Sequence, residues 1–119
     1  MTTFTSSVPI VPARDIEAAT AWYHDELGYT VQHVEHEYGV VGRGHSEIHF
    51  WGPSGIAPED SDTMIRVGVA GIDEFYAECQ SRGIVHPNAP LETKPWNYRE
   101  FAVRDLDGNL VTFFEKVAL

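Results

Sequence analysis

The sequence predicts an α+β fold of two consecutive β-α-β-β-β modules, module 1 over about residues 4–58 and module 2 over about 62–119, forming a single domain. Three observations predict it. A short apolar strand, an amphipathic helix and a glycine stop occur in that order twice: Val8 to Gly28 spans 20 positions and Met64 to Gly83 spans 19. Each unit then continues into segments that alternate apolar and polar residues with period two, as half-buried strands do. Between the units lies a run of chain breakers, GPSGIAPEDSD over 52–62. With 43% apolar and 12% aromatic residues, a chain of 119 residues can bury the core of one domain.

The elements follow in order. The apolar run over 8–11 reads as the first strand. Asp15 is placed to cap a helix whose apolar face is Ile16, Ala19, Thr20, Tyr23 and Leu27, and Gly28 ends it. Strands are predicted over 29–35, 37–41 and 47–51, with a glycine-bearing turn at 42–44. Module 2 begins with a strand over 64–69 and a helix over 73–82, stopped by Gly83. A weak strand follows near Ile84 and Val85, then a loop holding Pro87, Pro90 and Pro95. A hairpin closes the module, 99–104 against 109–115, with Asp105 to Gly108 supplying the turn.

Charge and cysteine content narrow the function. Eighteen acidic against eight basic residues give a net charge of −10, which opposes phosphate backbones and anionic lipid and favours cationic partners. Nucleic acid and membrane are therefore not expected as partners. The lone Cys79 rules out an internal disulfide and, in an apolar stripe with Ile72, Phe75 and Tyr76, belongs to the core. The segment MTTFTSSVPIVPARD has neither the basic stretch nor the apolar run of a secretory signal, so a cytoplasmic protein is expected.

Alternation along the strands separates a core face from an open one. Ile65, Val67 and Val69 form one face of their strand and leave Arg66 and Gly68 on the other. Ile48 and Phe50 likewise leave Glu47, His49 and Trp51 on an open face of mixed polar and aromatic character, as pocket walls have. Arg66 there is free to pair with Glu47 or to take an anionic group. No nucleophile motif, phosphate loop or dinucleotide fingerprint occurs. His33 and His36 are an odd number of positions apart, and His45 and His49 share a face at roughly 13 Å, too far for one ion. Each histidine reads more simply as a surface or hydrogen-bonded structural residue.

The duplicated pattern, the segment VPIVPARDIEAATAWYHDELGY over 8–29 and the segment REFAVRDLDGNLVTFFE over 99–115 resemble the glyoxalase/bleomycin resistance/dioxygenase superfamily, the vicinal oxygen chelate proteins. Within it the likeness is to bleomycin-resistance, or bleomycin-binding, proteins along essentially the whole chain. The resemblance implies two modules curling their sheets into a pocket, in a homodimer whose modules pair within one chain or exchange between two. It implies capture of a cationic glycopeptide antibiotic such as bleomycin by stoichiometric sequestration, without chemistry or cofactor. The metal-ligand positions of the superfamily's enzymes fall on Val8, His49, Met64 and Thr112, of which only His49 suits Zn, Mn or Fe(II).

For such a ligand the groove residues would be His33, Tyr38 and Trp96 by the resemblance, His49 and Trp51 by strand alternation, and Arg66 on the open face of module 2. Trp96 reads equally as an anchor packed on the hairpin, and the other rings as dimer packing. Two further functions stay open: a binding protein for another small molecule, and a metal-dependent glyoxalase- or dioxygenase-like enzyme.

Overall fold

In the computed structural model, which describes residues 1–118, the same topology is built twice. The first half contributes β1 (Ile10–Pro12), α1 (Ile16–Leu27), β2 (Thr30–Val34), β3 (Tyr38–Arg43) and β4 (Ser46–Trp51), in sheet order β1-β4-β3-β2. The second contributes β5 (Met64–Gly68), α2 (Ile72–Ser81), β6 (Glu92–Thr93), β7 (Tyr98–Arg104) and β8 (Leu110–Lys116), in order β5-β8-β7-β6. In each sheet the first strand runs parallel to the last, and the other pairs are antiparallel. A single 3-10 turn, Pro58–Asp60, lies in the connection between them.

Local chemistry explains the first helix. The Asp15 carboxylate accepts from Ala18 N at 3.0 Å, filling one of the donors a helix start leaves open. Gly28 adopts φ 70° and closes the C-terminus, a conformation that carries no Cβ penalty at glycine. Helix α2 is capped differently. Its start has no side-chain cap of its own; instead Glu115 of β8 accepts from Gly71 N at 3.3 Å and Ile72 N at 3.1 Å. That tertiary cap starts the helix one residue before the predicted Asp73.

Three other expectations shift. Val8 lies outside β1, which begins at Ile10. The β3–β4 turn is the two-residue Gly44-His45 rather than 42–44, with Gly44 at φ 57° as such hairpins require. In the second sheet the edge strand is β6, whereas Val85 makes only an isolated bridge to Val103. The segment between them still follows β7, with His86 N donating to Ala102 O and Ala102 N to Ala89 O. Pro87 and Pro90 supply no N–H for a continuous ladder, so that edge is broken into pieces.

One contiguous core joins the halves: Val11, Tyr23, Leu27, Ile48 and Phe50 from the first, Ile72, Cys79, Phe101, Val111 and Phe113 from the second. Cys79 is fully buried, and burial pushes its thiol up to about 11, consistent with packing rather than nucleophilic use. A polar joint reinforces this core. Tyr23 Oη donates to Asp105 at 2.7 Å, Asn109 Nδ2 to Pro12 O at 3.0 Å, and Arg14 Nε to Asp107 at 3.1 Å. The molecule is a slab of 45 × 45 × 24 Å whose sheets keep their open faces uncovered: Ile10, Trp51, Met64 and Trp96 are all exposed.

Candidate functional site

The register confirms the predicted faces. Val11, Val41, Ile48 and Phe50 are buried toward α1, so their neighbours Ile10, Val40, His49 and Trp51 face the other way. Tyr38 pairs with Trp51 and Val40 with His49, which places Tyr38, His49 and Trp51 on one surface. His33 joins them through a bulge. The pairing shifts between Val31 and His33, so that His33 comes opposite Val40 and not on the face of Val41. Four of the six candidate residues thus share the open face of the first sheet.

Three of this sheet's side chains form a hydrogen-bonded chain. Glu47 Oε2 lies 3.0 Å from His49 Nε2, and Tyr38 Oη lies 2.6 Å from His49 Nδ1. A carboxylate only accepts, so Nε2 is the donor toward Glu47, and the direction of the Tyr38 bond at Nδ1 follows the tautomer of the ring. Both ring nitrogens are occupied, and the tyrosine ring stands edge-on to the imidazole with centroids 5.4 Å apart. His33 sits 3.4 Å from Glu35 in the open. Trp51, 45% exposed, presents an indole surface beside them.

The other two candidates meet on the second sheet, through a residue the sequence did not single out. Glu100 is 6% exposed, and its Oε2 accepts from Arg66 Nη2 at 2.7 Å and from Trp96 Nε1 at 3.1 Å. Arg66 Nη1 reaches Oε1 at 3.3 Å, making the pair bidentate. The Arg66 guanidinium lies 4.6 Å from the Phe114 ring centroid and 6.0 Å from that of Tyr98. The hydrogen bond from Arg66 holds the Glu100 carboxyl below the usual carboxylate range against the opposing effect of burial, with Trp96 assisting. Arg66 is therefore committed to Glu100 and not to Glu47. Alternation along β7 puts Glu100 on the face of Ala102, but the β5-β8-β7 register that brings it to Arg66 is a tertiary fact.

Trp96 stands in the turn between β6 and β7. Lys94 N donates to Tyr98 O, Asn97 N donates to Lys94 O, and Asn97 takes φ 66°, a left-handed conformation asparagine tolerates. The indole is tethered by its nitrogen yet 58% exposed, so its faces remain open. The six candidates therefore fall into two sets, one per sheet, and no hydrogen bond or ring contact joins the sets among the described residues. A cleft of about 660 Å³ between the β3–β4 turn, β5 and the start of α2 touches both Glu47 and Arg66, and none of Tyr38, Trp51 or Trp96 lines it.

The donor set does not fit a metal of the kind the superfamily's enzymes use. Of the positions the resemblance assigns to metal ligands, Val8 lies outside β1 and has no donor and Met64 offers only a soft thioether, while strand pairing sets Ile10 opposite His49 and Arg66 opposite Thr112. Isoleucine offers no donor and the guanidinium is a cation. Among the described residues, no group of three or more His, Cys, Asp or Glu side chains is placed to hold an ion. No described helix is long and apolar enough to cross a membrane.

Comparison with known proteins bears on this site. The chain matches the family model "Glyoxalase/Bleomycin resistance protein/Dioxygenase superfamily" over residues 6–113. It is 34% identical over 127 aligned positions to the bleomycin resistance protein of Geobacillus stearothermophilus, covering 93% of this chain and 96% of that one. Among solved structures, a bleomycin resistance determinant encoded on transposon Tn5 superposes with a TM-score of 0.82 at 24% identity, over 95% of this chain and 98% of that one. The bleomycin-binding protein of Streptomyces verticillus, solved with copper(II)-bleomycin, gives a TM-score of 0.80 at 26% identity, over the full length of both chains.

Proposed function

The chain belongs to the glyoxalase/bleomycin resistance protein/dioxygenase superfamily, and on that premise we propose that it binds a bleomycin-family antibiotic and confers resistance by stoichiometric sequestration. The observation that carries this reading is the exposure of two indoles, Trp51 and Trp96, one on each open sheet face. Exposed tryptophans offer large, rigid stacking faces with one polar handle, the kind of side chain enriched where proteins make contacts. A flat bithiazole has such faces to offer, and stacking on each is worth about 1 kcal/mol. The net charge of −10 complements the drug's cationic character.

In this reading His33, Tyr38, His49 and Trp51 line one wall of the groove and Arg66 and Trp96 the other. The whole chain acts as one domain of two modules, and a homodimer brings the walls of two protomers together; exchange of modules between protomers would serve the same end. The protein works in the cytoplasm without cofactor or turnover. The positions that the resemblance assigns to metal ligands hold valine, methionine and threonine, Val8, Met64 and Thr112, beside His49, which favours capture over catalysis.

The test is a tryptophan-fluorescence titration of the protein with metal-free bleomycin, alongside Trp96→Ala. Saturation near one ligand per chain, weakened in the variant, is the expected result. No binding up to high micromolar drug would reject the assignment and leave the fold untouched.

A further inference from the structure

The two halves meet at two junctions, and the repeat makes these comparable residue by residue. Ala13 N donates to Trp51 O at the end of β1, and Val69 N donates to Phe114 O at the end of β5, each at 2.9 Å. Ile16 and Ile72 then open the two helices, so Pro12, Arg14 and Tyr23 correspond to Gly68, Ala70 and Cys79. The pairs Val41–Ile48 and Val103–Val111 likewise match Arg43 to Asp105 and Ser46 to Asn109.

The first junction is filled from within the chain. Tyr23 Oη donates to Asp105, Asn109 Nδ2 to Pro12 O and Arg14 Nε to Asp107, and all three turn residues are buried. The second has smaller residues at most of these positions: Gly68 for Pro12, Ala70 for Arg14, Cys79 for Tyr23 and Ser46 for Asn109. Its turn holds only Gly44-His45 between the paired Arg43 and Ser46, so Asp107 has no counterpart. Arg43, the one longer residue, is held by the helices: Nη1 donates to Leu27 O at 2.8 Å, and the guanidinium lies 5.3 Å from the Phe75 ring centroid. What remains is the cleft of about 660 Å³, a volume typical of small-molecule sites, lined by Arg43, Ser46, Gly68 and Ala70. Its walls also include Leu27, Tyr29, Val67 and Phe113 of the buried core, so it runs into the joint between the modules rather than across the open sheet faces.

The charges around the cleft decide what it takes. Arg66 is spent on Glu100 and Glu47 is shared with His49, whereas the carboxylates of Glu74 and Glu78 make no ion pair among the described residues. One turn apart on α2, these two form a like-charge pair that a cation relieves. The hydroxyls of Tyr29 and Ser46, 2.7 Å apart, share one hydrogen and leave the other for a ligand. We propose that this open junction is a second binding site, separate from the groove of the sheet faces, for a small organic cation: an amine or guanidine carried on a flat apolar body. Such a ligand supplies from solution what the first junction draws from its own chain, the guanidinium of Arg14 and the ring of Tyr23. The assignment does not depend on the capture of bleomycin.

The test titrates phenethylamine into the isotope-labelled full chain, without drug, and follows the backbone amides by NMR. Saturable shifts at Gly44, Gly68 and Gly71, with the Trp96 indole N–H unmoved, are the expected result. Phenylacetate, a similar ring with the opposite charge, should produce none. Affinity for the amine should fall about tenfold in Glu74→Gln/Glu78→Gln. Binding should vanish in Ala70→Arg, which gives the second junction the guanidinium that fills the first. Ala70 is exposed, so Ala70→Arg should keep the thermal midpoint of the parent chain. If it folds poorly, the glutamine double variant and the phenylacetate comparison still decide. Absence of saturation up to about 20 mM amine would overturn the proposal, as would an equal response to phenylacetate. So would shifts centred on Trp51 and Trp96, unchanged affinity in the double variant, or undiminished binding in a folded Ala70→Arg.

Discussion

Glu100 is the residue on which the second wall turns, and its behaviour with pH follows from its contacts. Its carboxyl is held below the usual range chiefly by the Arg66 hydrogen bond, against the opposing cost of burial. For a carboxyl depressed on folding, the stabilisation is complete above the unfolded value, about 4.3, and disappears as pH falls through the lower folded value. Acidification into that window should release the Trp96 indole nitrogen and shift its emission. The shift should be missing in Trp96→Phe and displaced or missing in Glu100→Gln; an unchanged acid transition in both would deny Glu100 this role. Replacing Glu100 by alanine should cost about 1–3 kcal/mol in urea unfolding, the range for losing charge-assisted hydrogen bonds at a buried acceptor. Tyr38 offers a contrast on the first wall. Tyr38→Phe keeps the ring and loses only the bond to His49, so drug affinity should fall a few-fold at most, whereas Tyr38→Ala should lose stacking worth about 1 kcal/mol.

The β7–β8 hairpin shows how one element holds both halves in register. Its turn places Asn109, fully buried, where Nδ2 reaches Pro12 O of the first half and Oδ1 accepts from Ser61 Oγ at 2.7 Å. Asp105 accepts from Tyr23 Oη, Asn109 N, Asn109 Nδ2 and Asp107 N. Gly108 cannot be replaced there: it has φ 80°, and a Cβ would stand 2.0 Å from Pro58 O. Gly108→Ala should therefore cost about 3 kcal/mol or more, read as a lowered urea midpoint with the slope retained. Elements whose causes are local were legible in the sequence. Helix α1 carries its cap, its apolar spacing and its stop within fourteen positions, Asp15 to Gly28, and the turn of this hairpin announces itself in Asp105 to Gly108. Elements defined by a distant partner were not. The second sheet's edge strand depends on which β7 carbonyls remain available between two prolines, and α2 begins at a carboxylate supplied from β8. The same division runs through the site. Period two placed His49, Trp51 and Arg66 on open faces, but the bulge that turns His33 and the register that brings Glu100 to Arg66 are settled between strands rather than along them.

At the scale of the whole molecule the net charge of −10 acts on binding and on folding in opposite directions. The field of an acidic slab would draw a cationic ligand of the proposed kind from a distance, and salt would weaken that attraction once the screening length shrinks below about 10 Å. In the proposed complex, stacking on Trp51, Trp96 and Tyr38 would be short-ranged and left largely intact. Between about 20 mM and 0.5 M salt, the affinity for metal-free bleomycin should fall by roughly tenfold, mainly through a slower association rate, while dissociation changes little. The same salt relieves repulsion among the surface carboxylates, so the unfolding midpoint should rise modestly over that range. Stopped-flow fluorescence and thermal unfolding on one set of buffers would read both quantities. Loss of affinity together with a gain of stability identifies charge attraction as the long-range contribution to capture, because salt-induced damage to the fold would lower both. An affinity indifferent to salt would leave the aromatic faces as the whole of the recognition, and the acidic surface with solubility as its role.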